Sequence, residues 1–168
     1  IACKSGRQPD SGNGMRLLPR LKERFDCMSL VEYGEKYYRE GGFNCAESVL
    51  HAANEYYGLG LHEHDMRCMA GFGGGMFVGS VCGALVGAQA ALSAMIIEVK
   101  AHDQMEEIRP ASQRLHRNFR NAYNAVECKD IKKDWHTKEL KCWKTVEQAC
   151  RVLEQTVNEL ELPQAAAE

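Results

Sequence analysis

The sequence predicts an all-α protein: a single-domain bundle of five to six helices with a glycine-rich loop. Two observations lead to this prediction. Several segments repeat apolar residues with the period of a helix and begin with capping signals. No segment alternates β-branched and polar residues over the length of a strand. Since 168 residues suffice for one domain, we expect a flexible lead over 1–28, a helical domain over 29–160 and a loose tail over 161–168.

Three helices are predicted before the glycine-rich segment, and capping signals mark the starts of the first two. Ser29 and Glu32 have the spacing of a capping box, in which each side chain bonds to the backbone N–H of the other residue. Asn44 and Glu47 repeat this spacing, and the shorter third helix is expected just before the glycines. The predicted ranges are 29–39, 44–57 and 64–70.

Three longer helices are expected in the second half of the chain. Ser80 is placed to cap an apolar helix, and Pro110 suits the first turn of the next one. The polar residues 127–136 are expected to form a loop around Cys128. The predicted helix ranges are 81–100, 110–126 and 137–160.

A glycine-rich segment, residues 71–80, separates the two halves. Five of its ten residues are glycine, which disfavours a stable helix. A backbone without side chains can approach a bulky ligand and point its N–H groups at it. The candidate cofactor-binding residues are therefore Gly73, Gly74, Gly75 and Gly83.

Charge and hydropathy argue against two classes of partner. The formal net charge is -2, whereas a nucleic-acid-binding protein usually has a basic excess. No long basic run suggests a membrane surface. Residues 81–97 are almost continuously apolar, but Gln89 and Ser93 interrupt them, which favours a buried helix over a membrane span. We expect neither a nucleic acid nor a membrane as a partner.

The eight cysteines are the unusual feature of the composition. Secreted disulfide scaffolds are short chains that cannot build a core, and this chain is longer and rich in helix formers. Residues 1–15 lack the apolar centre of a signal peptide. We therefore expect a reducing, cytoplasmic location, in which clustered cysteines more often bind metal or perform redox chemistry.

Four of the cysteines lie near predicted helix ends: Cys45, Cys82, Cys128 and Cys142. Cys45 and Cys82 fall at helix starts, Cys142 falls in the first turns of the last helix, and Cys128 falls in the preceding loop. Helix N-termini carry unpaired N–H groups and a partial positive charge, which favour the thiolate that binds metal. These four cysteines are candidate ligands of one metal–sulfur centre.

Other interpretations of these cysteines remain open. Each could be a small buried hydrophobic residue, as Cys150 is expected to be. Cys45 and Cys82 could instead perform metal-free thiol–disulfide chemistry, and the four could hold a structural zinc ion. The sequence has no C-x-x-C, so neither a zinc ribbon nor a thioredoxin-type dithiol is indicated.

Several motifs of the chain together resemble those of a known protein family. The central motif is Cys82-Gly83-Ala84 followed by Gly87, in a slightly different order from the GCAxxG of the family name. Over about 29–158 the chain resembles the C_GCAxxG_C_C family of redox-active proteins, which is similar to the iron–sulfur part of split-Soret cytochromes. The segments that carry the resemblance are residues 43–50, 71–76 and 82–87, Cys128, and Cys142 with Val146.

The resemblance implies one iron–sulfur cluster bound by Cys45, Cys82, Cys128 and Cys142. It also implies an all-helical structure, an anaerobic microbial origin and a homodimer. The split-Soret similarity favours [2Fe–2S] over [4Fe–4S], but the haem features do not carry over because the chain has no C-x-x-C-H. We therefore expect an electron-transfer protein that works with a redox partner protein.

Overall fold

A computed structural model describes residues 28–162, and these residues form an all-α fold. They contain no strand, only isolated bridges between Val81 and Glu127 and between Thr137 and Lys141. The all-α prediction is confirmed. Seven helices form instead of five to six: α1 (Leu30–Glu35), α2 (Cys45–Tyr57), α3 (Glu63–Met66), α4 (Gly83–Ile96), α5 (Met105–Tyr123), α6 (Cys128–Trp135) and α7 (Trp143–Glu159).

The predicted terminal segments lie almost wholly outside the described residues. Of the lead over 1–28, the structure describes only Met28. Of the tail over 161–168, it describes Glu161 and Leu162. The division of the chain into these segments stays a prediction.

The two predicted capping boxes are present. The Ser29 hydroxyl accepts a hydrogen bond from the Glu32 N–H, and the Glu32 carboxylate accepts one from the Ser29 N–H. Asn44 and Glu47 form the same reciprocal pair at the start of α2. After α1 the chain continues through one wider π-helical turn, Lys36–Glu40. The local signals therefore placed the first two helices correctly.

The predicted start of α5 at Pro110 is wrong. The helix begins at Met105, so Pro110 lies in its second turn, where its missing N–H removes one backbone hydrogen bond. Glu106 and Glu107 occupy the first turn, where carboxylates interact favourably with the helix dipole. These acidic residues, rather than the proline, mark the start of the helix.

The predicted bounds of α4 and α7 also need correction. Val81 pairs with Glu127, so α4 starts two residues later than predicted, and it ends at Ile96 rather than near Lys100. Lys141 adopts a left-handed conformation (φ 50°), which a right-handed helix cannot accommodate. The chain therefore turns over 137–141, and α7 begins only at Trp143.

The segment predicted as a polar loop, 127–136, is helix α6 and accounts for the extra helix. Its charged residues obscure a short apolar stripe with helical spacing. Cys128 and Ile131 are buried, and the Trp135 ring packs edge-on against Tyr123 with the centroids 4.8 Å apart.

The core forms where α2 and α4 pack against each other and are covered by α1, α5 and α7. Close approach depends on glycine at two contacts. A Cβ atom at Gly87 of α4 would overlap the Ala46 carbonyl oxygen of α2, and one at Gly34 would lie 2.9 Å from Cys150 Sγ of α7. The largest fully buried side chains include Phe119, Leu30, Leu92, Leu115 and Leu153.

The apolar helix α4 is an internal element of this bundle. Its small residues Ala84, Ala88 and Ala91 are fully buried within the chain. In the described part of the chain no single helix has the length and hydropathy of a membrane span, although Gly83–Ile96 taken with Ala101–Tyr123 across a 75° bend does. The homodimer stays a prediction.

We predict that Gly87→Ala destabilises the fold by about 1–3 kcal/mol, because a new methyl group must push α2 and α4 apart. This loss outweighs the gain of up to about 1 kcal/mol expected from the better helix propensity of alanine. Urea unfolding followed by far-ultraviolet circular dichroism measures the difference. Gly71→Ala is the matched control, since open space surrounds that position. A Gly87→Ala protein as stable as the wild type would contradict the proposed close packing.

Candidate metal centre

All four predicted cysteine ligands stand at helix N-termini. Cys45 is the first residue of α2, and Cys128 is the first residue of α6. Cys82 and Cys142 are the N-cap residues of α4 and α7. The placement of Cys45 was predicted correctly, whereas Cys128 was expected in a loop and instead begins a helix. The four helices therefore begin with the four candidate ligands.

A two-stranded contact joins two of these helix starts. The Cys82 N–H donates to the Val126 carbonyl over 2.8 Å, and the Cys128 N–H donates to the Ser80 carbonyl over 2.6 Å. Because both bonds flank the Val81–Glu127 bridge, they fix the start of α4 beside the start of α6. Residues 46 positions apart in sequence thereby become neighbours.

The four thiols lie close enough to influence one another electrostatically, and Cys45 influences each of the other three. Negative charge on Cys45 raises the pKa of the Cys82, Cys128 and Cys142 thiols. Cys128 has the same effect on Cys82 and Cys142. The cysteines therefore form one group centred on Cys45.

Burial is the main influence on these thiols. Cys45, Cys82 and Cys128 are buried, and Cys142 is half-buried. Burial, with the charge of Cys45, raises the pKa of Cys82 to about 12, and burial also raises the pKa values of Cys128 and Cys142. In the metal-free protein these three thiols therefore keep their protons at neutral pH.

Two features of the site lower the pKa values of these thiols. The backbone N–H groups of Ala84 and Leu85 lower the pKa of Cys82, although neither makes a full capping hydrogen bond to it. The Lys132 ammonium, one turn after Cys128 on α6, lowers the pKa values of Cys128 and Cys142. Helix N-termini and one lysine thus stabilise negative charge on sulfur.

Two of the predicted glycines touch the cysteines directly. A Cβ atom at Gly83 would lie 2.8 Å from Cys45 Sγ and 2.5 Å from the Phe72 carbonyl oxygen. A Cβ atom at Gly75, whose φ is +66°, would lie 2.7 Å from Cys128 Cβ. Larger residues at either position would displace a cysteine.

The other two glycines support the start of α2. Gly73 packs against the Asn44 side chain, where a Cβ atom would lie 2.8 Å from the amide nitrogen. The same amide nitrogen donates to the Ala70 carbonyl over 3.0 Å. Gly74 lines a cavity together with Cys45. All four predicted glycines therefore border the cysteine group or the cap that positions Cys45.

A cavity of about 370 Å³ opens beside Cys45 and Cys142. No carboxylate lines it, and three of its lining residues are basic: Arg39, Lys132 and Lys141. Among the described residues, neither lysine forms an ion pair. The cavity therefore suits a group of net negative charge in contact with sulfur.

Tyr38 is a site residue that the sequence did not identify. Its hydroxyl oxygen accepts a hydrogen bond from the Cys142 N–H over 2.8 Å, and a bond between the Tyr38 hydroxyl and the Cys142 side chain lowers the pKa of the thiol. Burial raises the pKa of Tyr38 to about 12, so it remains a proton donor at neutral pH. Because Tyr38 lies 104 residues before Cys142, no local pattern could have connected them.

The remaining cysteines take other positions. Cys150 is fully buried against Gly34, as expected for a small hydrophobic residue. Cys68 is exposed, and its thiol donates to the Asp65 carbonyl over 3.0 Å. Cys3 and Cys27 lie outside the described residues.

The donor set of the site consists of cysteine thiols, which can bind a metal ion or a metal–sulfur cluster. Within 28–162 no three histidine, cysteine, aspartate or glutamate side chains are arranged to hold a metal ion. The neighbouring sulfurs, the tightly packed glycines and the adjacent basic cavity instead suit a larger anionic group with thiolate ligands. The residues present therefore fit a metal–sulfur cluster.

Comparison with known proteins gives one match. The model of the family described as "Putative redox-active protein (C_GCAxxG_C_C)" matches residues 43–156, about two thirds of the chain. The matched region contains all four cysteines of the group. No curated protein and no solved structure matches the chain. The chain belongs to the C_GCAxxG_C_C family of redox-active proteins.

Proposed function

We propose that this redox protein transfers electrons through one iron–sulfur cluster bound by Cys45, Cys82, Cys128 and Cys142. The observation that carries the proposal is the meeting of four helix N-termini, each with a cysteine at its first residue or N-cap. Iron–sulfur clusters are held by thiolates, and nearby N–H groups adjust their reduction potentials.

The described residues give no direct support for a structural zinc ion. Zn–S bonds of about 2.3 Å would place the four sulfurs of a tetrahedral site about 3.8 Å apart. The described residues contain no group of side chains arranged in that way. A cluster has bridging sulfides between its iron atoms, so its cysteine ligands stand farther apart.

The raised pKa values of Cys82, Cys128 and Cys142 disfavour these thiols as the nucleophiles of a metal-free thiol–disulfide protein. A nucleophilic cysteine needs a lowered pKa and access to solvent. Cys82 is buried and its pKa is raised to about 12, while the pKa values of Cys128 and Cys142 are also raised. A bound metal group explains buried thiols better, since coordination to iron drives deprotonation.

The chain's own residues would hold, orient and shield the cluster. When bound, the cluster supplies one-electron redox chemistry. The helix starts position the thiolates, while Lys132 and the Tyr38 hydroxyl stabilise charge on sulfur. We keep [2Fe–2S] as the proposed form, on the split-Soret similarity.

Two further proposals concern the setting of the protein. All six cysteines of the described residues are free thiols, which supports a reducing, cytoplasmic location. An electron carrier also needs a donor and an acceptor, so we propose a redox partner protein. The anaerobic origin stays a prediction from the family resemblance.

We predict that replacing any one of the four cysteines by serine removes most of the iron, the acid-labile sulfide and the visible absorbance. Each replacement leaves the cluster with one weaker ligand in a buried site. Iron and sulfide are measured on protein purified without oxygen. Cys68→Ser is the matched control, because Cys68 is exposed and the serine hydroxyl preserves its bond to Asp65. Equal iron contents in the Cys45→Ser and Cys68→Ser proteins would contradict the ligand assignment.

We predict that iodoacetamide modifies Cys82 far more slowly than Cys68 in the metal-free folded protein. Because the pKa of Cys82 is raised to about 12, its thiolate fraction, and with it the rate, should rise about tenfold per pH unit between pH 7 and 10. Mass spectrometry of peptides from timed samples measures each rate. A Cys82 rate that stops rising below pH 8 would show a low pKa and would support thiol–disulfide chemistry instead.

A further inference from the structure

The glycine-rich segment presents an exposed apolar tip, which we define as Met76, Phe77 and Val78. These side chains are 43%, 77% and 79% exposed. In the described part of the chain the other large hydrophobic residue exposed to this degree is Val99. Three consecutive exposed apolar residues are unusual on a protein surface without a partner.

The backbone of the tip is strained. Met76 and Phe77 have φ values of +56° and +59°, in the left-handed region that non-glycine residues rarely occupy. Gly74 and Gly75 precede them in the same region, so four successive residues turn in the left-handed sense. Such strain persists where the surrounding structure enforces it, and it is concentrated at functional sites. Here it directs the apolar residues outward.

The tip is anchored directly on the cysteine group. At its N-terminal side Gly75 packs against Cys128, and at its C-terminal side Gly79 packs against Lys129, where a Cβ atom would lie 3.2 Å from Lys129 Cβ. The Ser80 N–H donates to the Gly75 carbonyl over 3.1 Å and closes the turn. The tip is therefore the exposed side of the loop whose buried side contacts Cys128.

Two lysines lie beside the tip. Lys132 Nζ would lie 3.9 Å from a Cβ atom at Gly74, and Lys129 lies beside Gly79. Neither lysine forms an ion pair with a described residue, although Lys129 also interacts with the nearby Asp130. A second copy of this chain docked symmetrically at the tip would bring these lysines together, which disfavours self-association.

We propose that the tip, with Lys129 and Lys132, is the docking surface for an acidic electron-transfer protein. This inference rests on the proposed electron-transfer function. The apolar tip would be buried at the centre of the contact, and the lysines would attract carboxylates at its rim. One electron leaves the partner, which is oxidised, and reduces the docked protein by one electron.

The test uses an acidic plant-type ferredoxin as the probe and a basic cytochrome c as the comparison. Isothermal titration calorimetry measures binding, and stopped-flow absorbance measures electron exchange with the reduced ferredoxin. We expect the ferredoxin to bind and cytochrome c not to bind. The affinity for ferredoxin should fall as ionic strength rises from about 20 to 300 mM.

Two variants test the surface itself. Phe77→Asn removes the apolar ring but keeps a residue that tolerates the left-handed conformation, and it should weaken ferredoxin binding about tenfold. Lys129→Gln should weaken it about threefold at low salt. The matched controls are Val99→Asn and Lys100→Gln. Val99 and Lys100 follow the end of α4 that is far from the tip, since the 14 residues of α4 separate its two ends by roughly 20 Å. Both control variants should bind ferredoxin as the wild type does.

The possible results separate the two proposals. Failure of the wild type to bind ferredoxin, or unchanged binding by Phe77→Asn and Lys129→Gln, would overturn the docking surface. A wild-type dimer that Phe77→Asn dissociates would assign the tip to a second copy and would also overturn it. The cluster is tested separately by reduction with dithionite, which requires no docking. A protein without iron or without absorbance that dithionite can bleach would refute the cluster. Calorimetry would still decide whether the tip is a docking surface.

Discussion

The gathering of cysteine thiols at four neighbouring helix N-termini, three of them buried, is the constraint on which this structure depends. Burial raises the pKa of Cys82 to about 12 and raises the pKa values of Cys128 and Cys142. A buried charge is tolerated only when nearby groups compensate it. In the proposed cluster site, helix N-termini would supply that compensation, which accounts for four helices that begin at the same place. Their other ends are free to extend into the bundle and form its core.

The packing of the bundle follows from this requirement. α2 and α4 can begin side by side only if they approach closely, and Gly83 and Gly87 permit this approach along their shared face. The Val81–Glu127 bridge then fixes the start of α6 beside that of α4, and Tyr38 holds the start of α7 through the Cys142 N–H. The glycine-rich loop closes over Cys128 and directs its apolar residues outward. Stability and site geometry therefore depend on the same contacts.

The features that could be predicted from the sequence are those that local interactions determine. The capping boxes at Ser29 and Asn44 are completed within four residues, so the starts of their helices could be placed to within one residue. The features that were missed depend on distant contacts or on competing signals. Charged residues obscured the helix that begins at Cys128, and Pro110 suggested a false helix start. Tyr38 could be connected with the site only by the fold, because its partner is 104 residues away.

The binding of one iron–sulfur cluster by the four cysteines of each chain is the central claim. Mössbauer spectroscopy of protein purified without oxygen from cells grown on iron-57 tests it most directly. We predict that all bound iron has sulfur coordination and that one cluster is present per chain, with one electron taken up on reduction. Protein that contains no iron and cannot be reconstituted with iron and sulfide, or iron bound mainly by nitrogen and oxygen, would contradict the claim.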